Sequence, residues 1–195
     1  MPDISPTRTG DIHLKGYFQS YKYFDKANIP KLKSMYLENA KRKLSQYKDK
    51  QAHAVCLHVS RGDMVDIKYI SPPPNTYFLN AMDLFSKQHN NTIFIMVGAE
   101  PEWIISQSEF QRKDVYIIKS GLAIDDLSLL AVCNAVVVSV GTFGWWGGFL
   151  NEHGKVVYNP LEFDMSHAIS KKGVTLKDYF PASWIAQSIA RGYPN

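Results

Sequence analysis

Residues 52–63 read AHAVCLHVSRGD, and this stretch decides the fold. A largely apolar run from Ala52 to Val59 stops abruptly at Ser60, Arg61, Gly62 and Asp63. A short, nearly continuous apolar run is typical of a strand that is buried on both faces of a sheet. Charged residues directly after such a strand point to a site at its carboxyl end.

The rest of the chain repeats this strand pattern, with helical patterns in between. We expect further strands at 92–97, 115–118, 135–140 and 155–158, and helices at 31–49, 75–89, 102–110, 125–133 and 141–150. Strands that alternate with helices predict an α/β fold with a doubly wound parallel sheet. We expect residues 1–50 to form an N-terminal extension with an amphipathic helix, and residues 51–195 to form the α/β domain.

The charge balance is mildly basic. The 195 residues carry 22 Lys and Arg against 18 Asp and Glu, a net charge of +4, which does not indicate a nucleic-acid partner. Several of the lysines lie between residues 31 and 50, where a solvated helix face is the favoured interpretation and a surface for an anionic partner is the alternative.

The sequence contains no signal-peptide pattern and no apolar run of the roughly 18–20 residues that a membrane span needs.

The sequence also contains two cysteines and one motif for covalent modification. Cys56 and Cys133 both lie in apolar runs, which favours buried free thiols; a disulfide between neighbouring strands is the alternative. Residues 90–92, NNT, form an acceptor triplet for N-glycosylation, which is relevant if the chain enters the secretory pathway. The six histidines show no metal-ligand spacing, so we expect no metal site.

The end of the first strand supplies one half of a candidate site. An arginine at this position can clamp a phosphate or carboxylate through two parallel N–H bonds. We expect Asp63 to hold Arg61 in place and His58 to hydrogen-bond backbone at the turn. The alternative is a local Arg61–Asp63 pair that closes a turn above a core histidine. An adhesion role for the tripeptide at 61–63 needs an exposed loop tip, and the buried strand before it argues against one.

The end of the fourth strand supplies the other half. Residues 139–148, SVGTFGWWGG, combine a strand end, a glycine-bearing turn and a helix N-terminus, an arrangement typical of phosphate binding. Thr142 is the best candidate ligand there, and close packing through the glycines is the alternative. Asp126 opens the preceding helix, where its carboxylate can accept both N–H donors of a guanine or act only as a helix-start residue.

Several motifs together resemble the α-1,2-fucosyltransferases of glycosyltransferase family eleven. Residues 58–63, HVSRGD, resemble the family's His-x-Arg-Arg-x-Asp motif, with Ser60 in place of its first arginine. Residues 126–134, DLSLLAVCN, and 141–146, GTFGWW, follow the family's later motif closely. Residues 16–20, GYFQS, are similar to an upstream family stretch.

The resemblance implies a Rossmann-like, donor-binding C-terminal half of a GT-B-like enzyme, with residues 1–50 as a remnant of the upstream domain. It implies inverting, metal-independent transfer of fucose from GDP-fucose to the 2-hydroxyl of a terminal galactose, with no cofactor besides the donor. Arg61 and Asp66 are the implied catalytic residues. The implied donor-binding residues are His58, Ser60, Arg61, Asp63, Asp126, Ser139, Thr142, Phe143 and Gly144.

The resemblance also implies a place and partners. The partners are GDP-fucose and a galactoside acceptor glycan, and the location is the Golgi lumen or membrane, through an anchor that this sequence does not contain. The alternative is an inactive or truncated GDP-sugar-binding fragment without transfer activity. Ser60 motivates that alternative, as does the expectation that the family's N-terminal half is missing here.

Overall fold

A computed structural model describes residues 20–24, 28–47, 49, 51–167 and 175–187. Its centre is a sheet of six strands that pair in parallel in the order β3-β2-β1-β4-β5-β6. The strands are β1 His53–His58, β2 Thr92–Val97, β3 Val115–Ile117, β4 Ala135–Val138, β5 Val156–Tyr158 and β6 Ile185–Ala186. This order is that of a Rossmann sheet, so the predicted fold class, a doubly wound parallel α/β fold, is confirmed.

Helices cover both faces of this sheet. They are α1 Ser34–Leu44, α2 Asn75–Gln88, α3 Pro101–Ser106, α4 Ala123–Val132, α5 Thr142–Phe149 and α6 Leu176–Tyr179. Short 3₁₀ helices cover Tyr21–Tyr23, Gly62–Asp66 and Ser108–Phe110. The helix predicted at 102–110 is therefore two short pieces, and the sequence reasoning did not predict α6, β6 or the 3₁₀ helix after β1.

The strand β1 shows why its sequence is almost continuously apolar. Ala54 and Cys56 face the layer that contains α4, whereas Val55 and Leu57 face the layer that contains α2. All four side chains are fully buried. Complete burial of a valine or leucine contributes about 1.5–3 kcal/mol, so both faces of this strand stabilise the fold.

The strand β4 ends two residues earlier than predicted. The carbonyl of Val138 accepts a hydrogen bond of 2.7 Å from the buried hydroxyl of Tyr77, which lies on α2. This bond satisfies a backbone acceptor at the last residue of the strand. The chain beyond it, from Ser139, is then available for the site.

The helix α1 packs on the sheet domain. Ala40 and Leu44 are buried in the same core as Leu129 of α4, while Lys41 and Arg42 remain exposed, as expected for a solvated face. The proposed boundary at residue 50 stays a prediction. Of the stretch at 16–20, only Ser20 lies within the described residues.

The two cysteines correct the sequence interpretation. A disulfide joins Cys56 of β1 to Cys133, the residue that follows α4, so the favoured interpretation of free thiols was wrong. Their Cα atoms lie 5.8 Å apart, inside the range that a disulfide bridges. The 77-residue separation along the chain concealed this proximity, which arises because α4 packs across β1.

Candidate active site

The carboxyl ends of β1 and β4 meet at the topological switch point of the sheet. The two strands are neighbours, and His58 pairs with Val138 at the end of their shared register. Just beyond, the backbone N–H of Ser60 donates a 2.9 Å hydrogen bond to the buried hydroxyl of Ser139. The structure thus brings together the two strand ends that the sequence analysis singled out. Ligands of doubly wound sheets bind at this position.

His58 is buried beneath the first turn of α5. Its ring lies 5.3 Å from the ring of Phe143, measured between centroids. Burial lowers the pKa of His58 to about 4, so the imidazole is neutral near pH 7. The expected hydrogen bond from His58 to the turn is not formed: among the described residues its Nδ1 has no partner. A buried polar atom without a partner is costly, and such atoms often mark functional sites.

Gly144 allows this close approach between β1 and α5. A Cβ atom at position 144 would lie 2.4 Å from the Nδ1 of His58, which is too close for any side chain. Thr142, the first residue of α5, is exposed. No side chain caps the N-terminus of α5 from position 141, where a glycine adopts a φ of 86°. The first turn of α5 therefore has no side-chain cap, and the N–H dipoles of such a helix N-terminus attract anions.

A buried carboxylate that the sequence analysis missed lies under this helix N-terminus. Glu162 accepts a 2.8 Å hydrogen bond from the backbone N–H of Gly141 and another from the hydroxyl of Tyr179. Burial raises the pKa of Glu162 to about 7. Burial, with the negative charge of Glu162 nearby, also raises the pKa of Tyr179. The sequence signal for Glu162 is weak, a single charge between Leu161 and Phe163.

Arg61 is held in a different way from the one expected. Its guanidinium carbon lies 4.2 Å from the ring centroid of Trp103, on α3. In the described part of the chain Arg61 makes no ion pair, so the expected contact with Asp63 is not formed. Stacking on an aromatic face leaves the edge of a guanidinium free, with its five N–H donors available for an anion.

The 3₁₀ helix after Arg61 turns its carboxylates outward. Asp63 and Asp66 are both exposed. The side chain of Met64 approaches the entry to α5, because its Cε would lie 3.5 Å from a Cβ placed on Gly141. The loop after β1 and the loop after β4 are therefore in contact.

Asp126 lies in the first turn of α4 and is buried. Burial raises its pKa, while a hydrogen bond with Ser120 and the charge of Lys43 oppose that rise. Lys43 comes from α1, and its Nζ donates to the hydroxyl of Ser120 at 3.3 Å. The second carboxylate oxygen, Oδ1, has no hydrogen-bond partner among the described residues. Asp126 therefore retains a free acceptor, although no contact joins it to His58 or Thr142.

Two classes of feature are absent from the described residues. No group of three or more His, Cys, Asp or Glu side chains is arranged to hold a metal ion within the described ranges. None of the helices in that part of the chain is long and apolar enough to cross a membrane.

Comparison with known protein families shows to which of them the chain belongs. The family described as glycosyl transferase family 11 matches residues 9–186, which is most of the chain. The chain therefore belongs to glycosyl transferase family 11. The motifs at 58–63, 126–134 and 141–146 all lie inside the matched range.

Two relatives illustrate the similarity. A galactoside 2-alpha-L-fucosyltransferase of Caenorhabditis elegans is 28% identical over 188 residues, which cover 90% of this chain and 52% of the relative. Galactoside alpha-(1,2)-fucosyltransferase 1 of Oryctolagus cuniculus is 32% identical over 108 residues, covering 49% of this chain and 28% of the relative. The chain spans about half the length of the curated relatives that it matches along most of its own length.

A solved structure shares the fold. The crystal structure of POFUT1 in complex with GDP superposes with a TM-score of 0.50 at 14% sequence identity, over 64% of this chain and 46% of that one. At this identity the likeness concerns the fold, and it agrees with the expected Rossmann-like half of a GT-B-like glycosyltransferase.

Proposed function

We propose that the crevice between β1 and β4 binds GDP-fucose and that the protein transfers L-fucose to the 2-hydroxyl of a terminal galactose. Family membership and the names of the relatives support this reaction. The observation that carries the proposal is the set of unused polar groups at the switch point. They are the unpaired guanidinium of Arg61 and the N-terminus of α5, which no side chain caps and which covers the buried His58.

In this proposal the diphosphate of the donor lies between Arg61 and the first turn of α5. Thr142, Phe143 and Gly144 offer backbone N–H groups there, and Thr142 adds a hydroxyl. The transition state resembles an oxocarbenium ion, so the main electrostatic task is to stabilise the departing GDP. Arg61 and the helix N-terminus supply positive charge and dipoles for that task, and a metal ion is not required.

The other candidate residues have distinct proposed roles. Ser60 and Ser139 fix the switch point through their hydrogen bond. Asp126 accepts the N–H donors of guanine through its free Oδ1. Asp66, exposed on the loop after β1, is the proposed base for the acceptor hydroxyl, and attack opposite the leaving group gives inversion. Asp63 faces solvent on the same loop and is a proposed donor contact. The Golgi is the proposed location, by family membership.

Titration with GDP tests the binding step. We expect GDP to bind and UDP to bind much more weakly. Arg61→Ala should weaken GDP binding by roughly tenfold to a hundredfold, since hydrogen bonds to charged groups contribute about 1.5–3 kcal/mol. Arg112→Ala is the matched control, because Arg112 is already paired with Asp114 at 2.7 Å. Equal affinities of GDP for the Arg61→Ala and wild-type chains would overturn the assignment of Arg61.

Turnover with a β-galactoside acceptor tests the transfer step. We expect a fucose on the 2-hydroxyl with inverted anomeric configuration, and a rate that a chelator does not change. The Ser60 position favours a second candidate function, GDP-sugar binding without transfer, because a serine cannot supply the charge of the family's arginine. GDP binding without turnover would support this second function, and activity gained by Ser60→Arg would identify the missing charge as its cause.

A further inference from the structure

The turn between α2 and β2 carries a motif that the proposed function does not use. Residues 90–92, NNT, are the single Asn-x-Ser/Thr triplet of the sequence. The triplet lies at the amino edge of the sheet, since β2 begins at Thr92 beside the first residue of β1, His53. The candidate active site lies at the opposite edge. Six-residue strands separate the two edges by roughly 17 Å, at 3.3 Å per residue.

The two asparagines of the triplet are engaged differently. The side-chain amide of Asn91 donates to the carboxylate of Asp49, at 3.1 and 3.3 Å, and the backbone carbonyl of Asn91 accepts a 2.7 Å bond from the N–H of His53. The side chain of Asn90 is exposed and makes no hydrogen bond within the described part of the chain. Asn90, the acceptor position of the triplet, is thus the asparagine whose amide can be modified without loss of a contact.

The rest of the turn also tolerates a large substituent at Asn90. The hydroxyl of Thr92 donates to the carbonyl of His89 at 2.9 Å, which fixes the turn without using the Asn90 side chain. The neighbours Gln88 and Asn91 are exposed as well, so a saccharide attached to Asn90 extends into solvent.

An independent observation points to the compartment where such modification occurs. The disulfide between Cys56 and Cys133 belongs to an oxidising environment such as the endoplasmic reticulum lumen or the cell exterior. N-linked oligosaccharides are attached to chains that enter this same route. A disulfide and an N-linked oligosaccharide are both typical of chains that enter this compartment.

We infer that Asn90 is an N-glycosylation site. In the reaction, the side-chain nitrogen of Asn90 forms a bond to the anomeric carbon of a lipid-diphosphate-linked oligosaccharide. The bond from that carbon to the phosphate oxygen breaks, the lipid diphosphate leaves with the electron pair, and the amide loses one proton. The attached glycan projects from the amino edge, so it leaves the crevice between β1 and β4 open.

The test is secretion of the chain from a eukaryotic host behind a cleavable signal, followed by intact-mass measurement. We expect the secreted chain to carry the mass of one oligosaccharide, and we expect peptide N-glycosidase to remove it and convert Asn90 to aspartate. Asn90→Gln and Thr92→Val should abolish the added mass. Thr92→Ser should keep it, and so should Asn91→Gln, the matched control that disrupts the contact with Asp49 but preserves the triplet.

Two results would overturn the inference. One is a secreted wild-type chain whose mass equals that of the bare polypeptide. The other is an added mass that peptide N-glycosidase removes equally from wild type and Asn90→Gln. GDP affinity measured on the same samples, before and after deglycosylation, should be unchanged, because the two sites lie at opposite edges.

Discussion

The two edges of the sheet differ in the polar groups that they present. At the amino edge, asparagine side chains form hydrogen bonds with the backbone. Asn134 Oδ1 accepts from the N–H of Ala54, and Asn151 Nδ2 donates to the carbonyls of Leu130 and Cys133. At the carboxyl edge, by contrast, described polar groups such as His58 Nδ1 and Asp126 Oδ1 have no partner. Amide side chains complete much of the backbone at the amino edge, whereas the carboxyl edge offers groups that suit an anionic ligand.

This difference indicates which edge of the sheet to examine for a ligand site. Buried groups without partners lower stability unless a ligand or function accounts for them. At the amino edge, the buried Nε2 of His89 also lacks a hydrogen-bond partner within the described residues, and its ring stacks on that of His53 at 3.7 Å. The carboxyl edge differs because it also offers an unpaired arginine and an uncapped helix N-terminus, and both favour an anion.

The largest expected effect is a loss of stability caused by a substitution at the amino edge. Asn151 is buried, and its Oδ1 also accepts from the N–H groups of His153 and Gly154 at 3.0 and 2.9 Å. Asn151→Ala leaves several backbone groups unsatisfied, so we expect the free energy of unfolding to fall by about 4 kcal/mol, at roughly 1–3 kcal/mol for each. Urea unfolding measures this. Asn39→Ala, at an exposed site on α1, is the control and should change stability by less than about 0.5 kcal/mol.

The affinity of the folded Asn151→Ala chain for GDP should equal that of wild type. A selective loss of GDP binding would show that the two edges are coupled, and it would contradict their independence.

The second effect concerns pH and a charge at the carboxyl edge. The pKa of Glu162 is raised from 4.5 to about 7 in the folded state, so folding binds a proton in that window and stability falls as pH rises through it. At about 1.4 kcal/mol per unit, the loss amounts to about 3 kcal/mol. His58 acts in the opposite sense: its pKa falls from 6.5 to about 4, so its contribution is lost as pH drops through that range.

The Glu162→Gln substitution separates the stability contributions of Glu162 and His58, which change with pH in opposite directions. Glutamine mimics the protonated carboxyl, so the variant should gain stability over wild type, from near zero at pH 4.5 to about 3 kcal/mol at pH 8. The variant's stability should also decline below pH 6.5, because the His58 contribution then stands alone. Urea unfolding across pH measures both, with the exposed Glu102→Gln as control. A pH-independent difference between Glu162→Gln and wild type would contradict the burial of this charge.

The third effect comes from adding a side-chain atom at the close contact between β1 and α5. Gly144→Ala places a Cβ within 2.4 Å of a buried imidazole, so we expect a loss of about 2 kcal/mol in unfolding free energy and weaker GDP binding. Gly121→Ala is the matched control, since no atom lies within 4 Å of a Cβ at that exposed position. Thermal unfolding and GDP titration check the pair. Unchanged stability of Gly144→Ala would show that His58 can move away.

These residues also show how far sequence reasoning reaches. The structure brings His58, Ser139 and Gly144 to one edge of the sheet, because the carboxyl ends of parallel strands meet there, and their role in donor binding stays a prediction. Buried runs revealed those strands through composition alone. Glu162 and Trp103 were not found, because the path of the loop that carries Glu162 and the position of α3 beside the crevice both depend on tertiary packing.

The predicted Arg61–Asp63 contact failed for a local reason. Proximity in sequence suggested a pair, yet Gly62, with a φ of 34°, starts a 3₁₀ helix that leaves Asp63 exposed. A two-residue spacing does not fix the direction of a side chain when a glycine turn intervenes. The disulfide, which was the alternative interpretation of the cysteines, was disfavoured for the opposite reason, since the two cysteines lie 77 residues apart along the chain.

The smallest expected effect tests how the carboxyl edge holds its arginine. Trp103→Leu removes the aromatic face under Arg61, and we expect GDP affinity to fall by roughly fivefold to tenfold, in keeping with about 1 kcal/mol for a partly exposed cation–π contact. Trp103→Phe keeps a ring and should restore most of the affinity. Because Trp103 also packs on the core below α2, stability alone does not report its role.

A double-mutant cycle isolates the contact itself. In the Arg61→Ala background the Trp103→Leu substitution should no longer affect GDP affinity, because the side chain it positions has been removed. The same fold-loss in both backgrounds would show that Trp103 acts through packing and not through Arg61. The carboxyl edge would then hold its arginine by the loop backbone alone, and the unpaired charge would reflect the geometry of the turn after β1.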